Sequence, residues 1–271
     1  MKIYFVDAFT SERFKGNPAA VCYLDQEISD SMKQQIAKEI GFSETAFIIP
    51  FNTAENRYLL QWFTPLTEVN LCGHATLSSA RILYHYYLNH QRPILFESKS
   101  GILKATRDGD HIVLDFPVEN AKKSENNYNK IADVLGIRSK YECYECPHTD
   151  NILFVIEDEN ELKDLKPDFE NLSQTDISPF SSVCITAPGS KPYDFVSRCF
   201  APWEGINEDP VTGSTHTFLT PYWSNKLQKT QMKAKQLSER SGELIVEMSG
   251  DRVFIKGQAQ IMLAGEFFYE I

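Results

Sequence analysis

Apolar positions along this chain alternate between two periods, and the changes mark out its elements. Residues 2–9 (K-I-Y-F-V-D-A-F) and 21–24 follow the pattern of strands. Between them, S-E-R-F-K-G-N-P is punctuated by Gly16 and Pro18 and reads as a turn, with Asn17 most simply a turn former. Met32, Ile36 and Ile40 then share one helical face, with Ser29 to cap the helix and Gly41 to end it. Residues 45–49 read as a buried strand with Glu44 at its entry, and 57–63 as another. After Gly73 the pattern stops being one-sided. Ala75, Leu77, Ala80, Ile82, Leu83, Tyr84, Tyr86 and Tyr87 cover every side, which predicts a helix enclosed by sheet. Strands follow at 94–96, 102–106 and 111–116, with Asp108-Gly109 as a hairpin turn.

The polar residues 117–129 read as a linker, and the plan then starts again. A short helix near 131–135 precedes strands near 152–156, 183–187 and 196–200, with a polar stretch at 157–179. A helix after Gly213 should be kinked or cut short by Pro221. Residues 244–248 and 253–256 flank Ser249-Gly250-Asp251 as a pair of strands, and a last strand starts near 260. The second half also repeats the first at nearly fixed spacing. Pro50 and Pro188, Phe63 and Phe200, and Gly73 and Gly213 lie 138, 137 and 140 residues apart. Two copies of one domain are therefore expected, 1–117 and 129–259, with the active site in a cleft between them.

The two glycines open the segments that carry chemistry. C-G-H-A-T (72–76) and E-D-P-V-T-G-S-T-H (208–216) each place a glycine at the apparent start of a helix. Free N–H groups there, backed by the helix dipole, suit an anion, and glycine lets a ligand approach the backbone. The second motif adds the carboxylates Glu208 and Asp209. Glu44 lies in the copy that faces this second motif; its own place in the repeat is taken by Ser182, so packing of the domain does not demand a carboxylate there.

Composition narrows the partners. Twenty-seven Lys and Arg against 37 Asp and Glu give a net charge of −10, the wrong sign for a nucleic-acid binder. No apolar run approaches a membrane span, and the N-terminal run is too short for a signal peptide, so a cytoplasmic protein is expected. Its six cysteines then read as reduced thiols. Cys143 and Cys146, with His148 nearby, have the spacing of half a zinc site, but no second pair completes it and no metal is expected.

G-N-P-A-A-V (16–21), F-S-E-T-A-F (42–47), C-G-H-A-T and E-D-P-V-T-G-S together resemble the PhzF-like family of isomerases, named for a phenazine-biosynthesis enzyme. The resemblance runs over essentially the whole chain. It implies the diaminopimelate-epimerase-like fold: α/β (α+β), two pseudo-symmetric domains, each a mostly antiparallel sheet around a central helix. It implies that the last strand, about 260–271, crosses back to complete the first domain. It implies Glu44 as general acid/base, with His74, Asp209, Gly73, Gly213 and Ser214 around the substrate. It implies no cofactor or metal, and homodimers. One departure matters: related amino-acid epimerases use a thiol from each half, whereas here Thr212 stands opposite Cys72 in the repeat. A threonine cannot be a thiolate base, so Cys72 is expected to be a buried small residue.

The expected activity is cofactor-independent proton transfer between carbons of a small, anionic, carboxylate-bearing metabolite. Glu44 would take and return the proton, with a pKa raised by burial towards the working pH. The rival readings are an epimerase with Glu44 and Asp209 as opposed bases, and a carboxylate-binding protein without catalysis.

Overall fold

The computed structural model describes residues 1–269. The chain divides into two compact units, Met1–Phe116 with the segment from Phe254 onward, and Pro117–Val253. In the first unit the chain runs β1 (Lys2–Ala8), β2 (Asn17–Tyr23), α1 (Asp30–Ile40), β3 (Thr45–Asn52), β4 (Arg57–Phe63), β5 (Glu68–Val69), α2 (Gly73–Ile82), β6 (Ile94–Ser98), β7 (Gly101–Asp108) and β8 (His111–Pro117). In the second it runs β9 (Lys122–Lys123), α3 (Asn129–Leu135), β10 (Glu142–Cys146), β11 (Asn151–Val155), α4 (Glu159–Asp164), α5 (Phe169–Ser173), β12 (Ser182–Pro188), β13 (Phe195–Ala201), β14 (Ile206–Asp209), α6 (His216–Leu227), β15 (Gln231–Gln236) and β16 (Gly242–Ser249). The strand β17 (Arg252–Gly257) carries the chain back to β18 (Ala259–Glu266), which pairs antiparallel with β1. Residues 270 and 271, the end of the expected last strand, lie outside the described residues.

Among the described pairings, each unit has a mostly antiparallel sheet with two parallel steps. In the first, β1 lies antiparallel to β2, β2 parallel to β3, β3 antiparallel to β4, β4 parallel to β6, and β6–β7–β8 antiparallel. In the second, β9–β10–β11 are antiparallel, β11 parallel to β12, β12 antiparallel to β13, β13 parallel to β15, and β15 antiparallel to β16. A parallel pair cannot be closed by a tight turn and needs a crossover. The helices sit in those crossovers. α1 joins β2 to β3, and α4 with α5 joins β11 to β12. α2 lies between β4 and β6, and α6 between β13 and β15.

Local signals hold where chemistry is local. Ser29 accepts the Met32 N–H at the start of α1, and Gly41 ends that helix with φ 74°. Every residue of α2 except Arg81 is buried, as expected of a helix apolar on all sides. Around α3–α5 a separate core gathers Ile131, Leu135, Phe154, Leu172, Ile185 and Phe200.

Two expectations are modified by partners distant in the chain. α6 is neither short nor ended at Pro221: it runs twelve residues through the proline. Pro221 has no N–H for the Thr217 carbonyl four residues back. The Glu119 N–H, 3.1 Å away, takes that place. The segment 117–129 is accordingly not a free linker. Its Lys122 and Lys123 pair with β10. Its Glu119 is buried, accepting the His148 N–H and the Thr149 hydroxyl, both at 2.7 Å. Glu119→Ala should strand both donors and cost roughly 2–4 kcal/mol of unfolding free energy, read by urea denaturation. An unchanged midpoint would mean that this carboxylate does not tie the segment to its unit.

Candidate active site

In the first unit the site is built where two crossovers meet the sheet. Gly16 closes the loop before β2 so tightly, at φ 70°, that a Cβ there would lie 2.1 Å from the Ala8 carbonyl oxygen. That closure sets Asn17, which is fully buried at the start of β2. The Glu44 carbonyl accepts the Ala20 N–H at 3.3 Å, fixing the backbone of Glu44 beside β2 as the chain enters β3. His74 is the second residue of α2, after Cys72 at the N-cap and Gly73 at the first helical position.

These side chains converge on the imidazole. His74 Nε2 lies 3.2 Å from Glu44 Oε2, with only 6% and 17% of the two side chains exposed. On the other side of the ring, Nδ1 lies 3.2 Å from Asn17 Nδ2 and 3.5 Å from Cys72 Sγ. Glu44, Cys72 and His74 also offer three metal-type donor atoms within 4.8 Å of one another. The ring turns different nitrogens to its neighbours, since Cys72 Sγ is nearer Nδ1 than Nε2, at 3.5 Å against 4.0 Å. The arrangement is that of a bridge of polar contacts through one histidine.

Charge makes this a pair. Burial alone would raise the Glu44 pKa, but the charge of the His74 ring, 3.2 Å away, brings it below its ordinary value. Burial opposes charge on His74, and negative charge at Cys72 and then at Glu44 moves its pKa upward; while Cys72 is a thiol, only the Glu44 carboxylate supplies that charge. Burial, and then the Glu44 charge, push the Cys72 thiol up, so Cys72 remains an S–H and Glu44 is the anion. The expected upward shift of Glu44 is thus corrected to a downward one, because the His74 ring stands beside it and its charged form favours the carboxylate. Glu44's lowered pKa gives stability that is lost as pH falls through it; His74's raised pKa gives stability that is lost as pH rises through it. The pair therefore contributes in full between the ordinary values, 4.5 and 6.5.

In the second unit the two adjacent carboxylates have different work. Glu208 grips Arg198 through both oxygens, at 2.7 and 2.9 Å, while the same guanidinium donates to the Leu162, Lys163 and Leu165 carbonyls. That bidentate clamp anchors β14. Asp209, at the end of β14, accepts the Thr212 hydroxyl at 2.5 Å. The chain does not enter α6 directly at Gly213. Gly213, Ser214 and Thr215 form a tight turn, in which the Gly213 and Ser214 carbonyls accept the His216 and Thr217 N–H groups, and the helix begins at His216. Neither Gly73 nor Gly213 is among the described glycines with left-handed backbone, so conformation does not demand glycine at either.

Other candidates fall away. His216 is fully buried, donates from Nδ1 to the Thr212 carbonyl at 3.0 Å, and burial drops its pKa to about 4. It is neutral at pH 7 and serves the turn. Cys143 and Cys146 lie three apart on β10, hence on opposite faces of the sheet, and His148 gives its N–H to Glu119. The residue pattern marks Asn17 only as a turn former and does not single out Arg198, Gln236 or Ser238. Arg198 had a signal, a charge inside the otherwise uncharged strand F-V-S-R-C-F-A. Gln236, fully buried, and Ser238, which donates to the Pro210 carbonyl at 2.6 Å, had none.

The chain matches a family model described as phenazine biosynthesis-like protein over residues 6–265. It is 46% identical to an uncharacterized isomerase of Halalkalibacterium halodurans over 266 residues, covering 97% of each chain. Its fold superposes on a phenazine biosynthesis protein of the PhzF family from Enterococcus faecalis with a TM-score of 0.91, at 40% identity and 99% coverage of both chains. A hydroxyproline epimerase from Agrobacterium vitis shares the fold at a TM-score of 0.61 and 10% identity, covering 98% of this chain and 91% of that one.

The charge state is directly observable. At pH 7 the 15N shifts of the His74 ring should report protons on both nitrogens. In Glu44→Gln the raising charge is gone and burial remains, so the ring should become neutral at the same pH. A neutral ring in the unaltered protein would contradict the ion pair.

Proposed function

This chain belongs to the phenazine biosynthesis-like, or PhzF, family of isomerases, and from that premise we propose that it moves a proton between carbons of a small carboxylate-bearing metabolite, without a cofactor, using Glu44 as the acid/base. The observation that carries this reading is the Glu44–His74 contact at 3.2 Å, at the first turn of a buried helix. The first-turn N–H groups of α2 have no partner within the helix and suit the substrate carboxylate. Asp209, Gly213 and Ser214 serve the same substrate in this reading, as orienting and anion-binding groups.

The direction of the Glu44 shift shapes the mechanism. A carboxylate held below its ordinary pKa is always in the base form at neutral pH, but it is a weak base. It removes a carbon-bound proton only if the substrate is already acidified, which is the work of donors aimed at the charge developing beside that carbon. Once protonated, Glu44 stands as a neutral acid next to the His74 imidazolium. It then gives the proton up readily, to the second carbon. His74 acts as the counter-charge that drives the return step. A thiol mechanism is disfavoured, because Cys72 is held protonated and Thr212 stands in the second motif. A cytoplasmic homodimer completes the reading and would be seen by sedimentation.

A screen of small carboxylates in deuterated water, read by mass spectrometry, identifies the substrate by deuterium uptake. Glu44→Gln should fold and bind but lose turnover by roughly 10²–10⁴-fold, the usual contribution of a general base. Cys72→Ala should be mild, and Gly213→Val should weaken substrate binding by putting a side chain where the ligand approaches. Uptake that survives in Glu44→Gln and disappears in Cys72→Ala would replace the carboxylate mechanism with a thiol one.

A further inference from the structure

Thr212 stands where a two-thiol enzyme of this fold would need its second cysteine, and its hydroxyl is already committed. The amide of Gln236, fully buried at the end of β15, fixes the direction of every proton around it. Its Oε1 accepts the Thr212 backbone N–H at 2.9 Å, and that group can only donate. Its Nε2 therefore faces the Asp209 carbonyl at 2.8 Å, and that group can only accept. These two contacts leave no freedom to flip the amide. The second hydrogen of Nε2 reaches Thr212 Oγ1 at 3.2 Å, so the threonine oxygen is an acceptor on that side. Its one hydrogen is then left to go to Asp209 Oδ2, at 2.5 Å.

We propose that Gln236 and Thr212 form a one-way hydrogen-bond relay that holds the Asp209 carboxylate in a single orientation, as a group that orients substrate and takes no part as a second base. The inference rests on the reading of Asp209 as a substrate-orienting residue. Gln236 and Thr212 are positioning residues and reach the reaction through Asp209. The relay gives the threonine at this position a role that a thiol would fill poorly, because S–H is a weak donor. It also separates the two carboxylates of the reaction. Glu44 faces a cation and exchanges its proton, whereas Asp209 receives a neutral hydroxyl donor whose direction is set from behind.

Thr212→Val has nearly the same shape and lacks the hydroxyl, and Thr212→Ser keeps it. Gln236→Glu puts an acceptor where the Nε2 donor was, which turns the Thr212 hydroxyl away from Asp209. In the ligand-free protein at pH 7, the 13C shift of the Asp209 carboxyl should move in Thr212→Val and in Gln236→Glu and return to the unaltered value in Thr212→Ser. Deuterium uptake by the carboxylate fraction of a cell extract should fall about 10–100-fold in the first two variants, as expected for a misplaced orienting group, and recover in Thr212→Ser. A carboxyl shift that ignores the hydroxyl, or that serine does not restore, overturns the relay. Normal uptake in Thr212→Val overturns its part in the reaction. If the unaltered protein gives no uptake from the extract, the proposed function fails, while the NMR comparison still decides whether the relay exists.

Discussion

Parallel neighbours in a sheet must be joined by a crossover, and each unit of this protein has two such steps. That constraint places its helices. α2 and α6 fill the second crossover of their units, between β4 and β6 and between β13 and β15. In that position α2 loses its polar face, with nine of its ten residues buried, whereas six of the twelve residues of α6 are. The first turn of such a helix carries N–H groups with no partner within the helix. The motifs with the chemistry stand at these helix starts, Cys72-Gly73-His74 before α2 and Asp209 to Ser214 before α6.

Electrostatics then decides what the buried groups can be. Glu44 is largely out of water, and burial alone would leave it a neutral acid. The His74 ring at 3.2 Å reverses that outcome, and its own pKa moves upward. Cys72, two residues from His74 in the chain, is driven up as well and stays a thiol. One short contact thus sets opposed directions on adjacent side chains: Glu44 goes down, and His74 and Cys72 go up. In the second unit, Glu208 is spent on Arg198, which leaves Asp209 as the carboxylate of the motif held by its own loop.

The fold was legible where the signal was local or periodic. The cap at Ser29, the stop at Gly41 and the enclosed helix after Gly73 follow from side-chain type and spacing, and the paired motifs pointed to the family and its α/β class. What stayed hidden was set by partners distant in the chain. Pro221 looked like a helix breaker because the Glu119 N–H that satisfies the freed carbonyl comes from about a hundred residues earlier. Residues 117–129 looked like a linker because polarity marks exposure, and a buried glutamate with two donors has the same letter as a solvated one. Glu208 and Asp209 looked equivalent until Arg198 separated them. The sign of the Glu44 shift depended on a distance to His74 that no sequence carries, and Gln236 gave no signal because a buried glutamine is defined by its contacts alone.

The central claim is that one carboxylate, Glu44, both takes the proton and returns it. The most direct measurement is a single turnover of the substrate deuterated at the reacting carbon, in ordinary water, with the position of the label read in the product. A single base with one acidic hydrogen should deliver part of the deuterium to the second carbon before solvent replaces it. A product carrying only solvent hydrogen at that carbon from the first turnover onward would mean that a separate acid supplies the proton, and would contradict the one-base account.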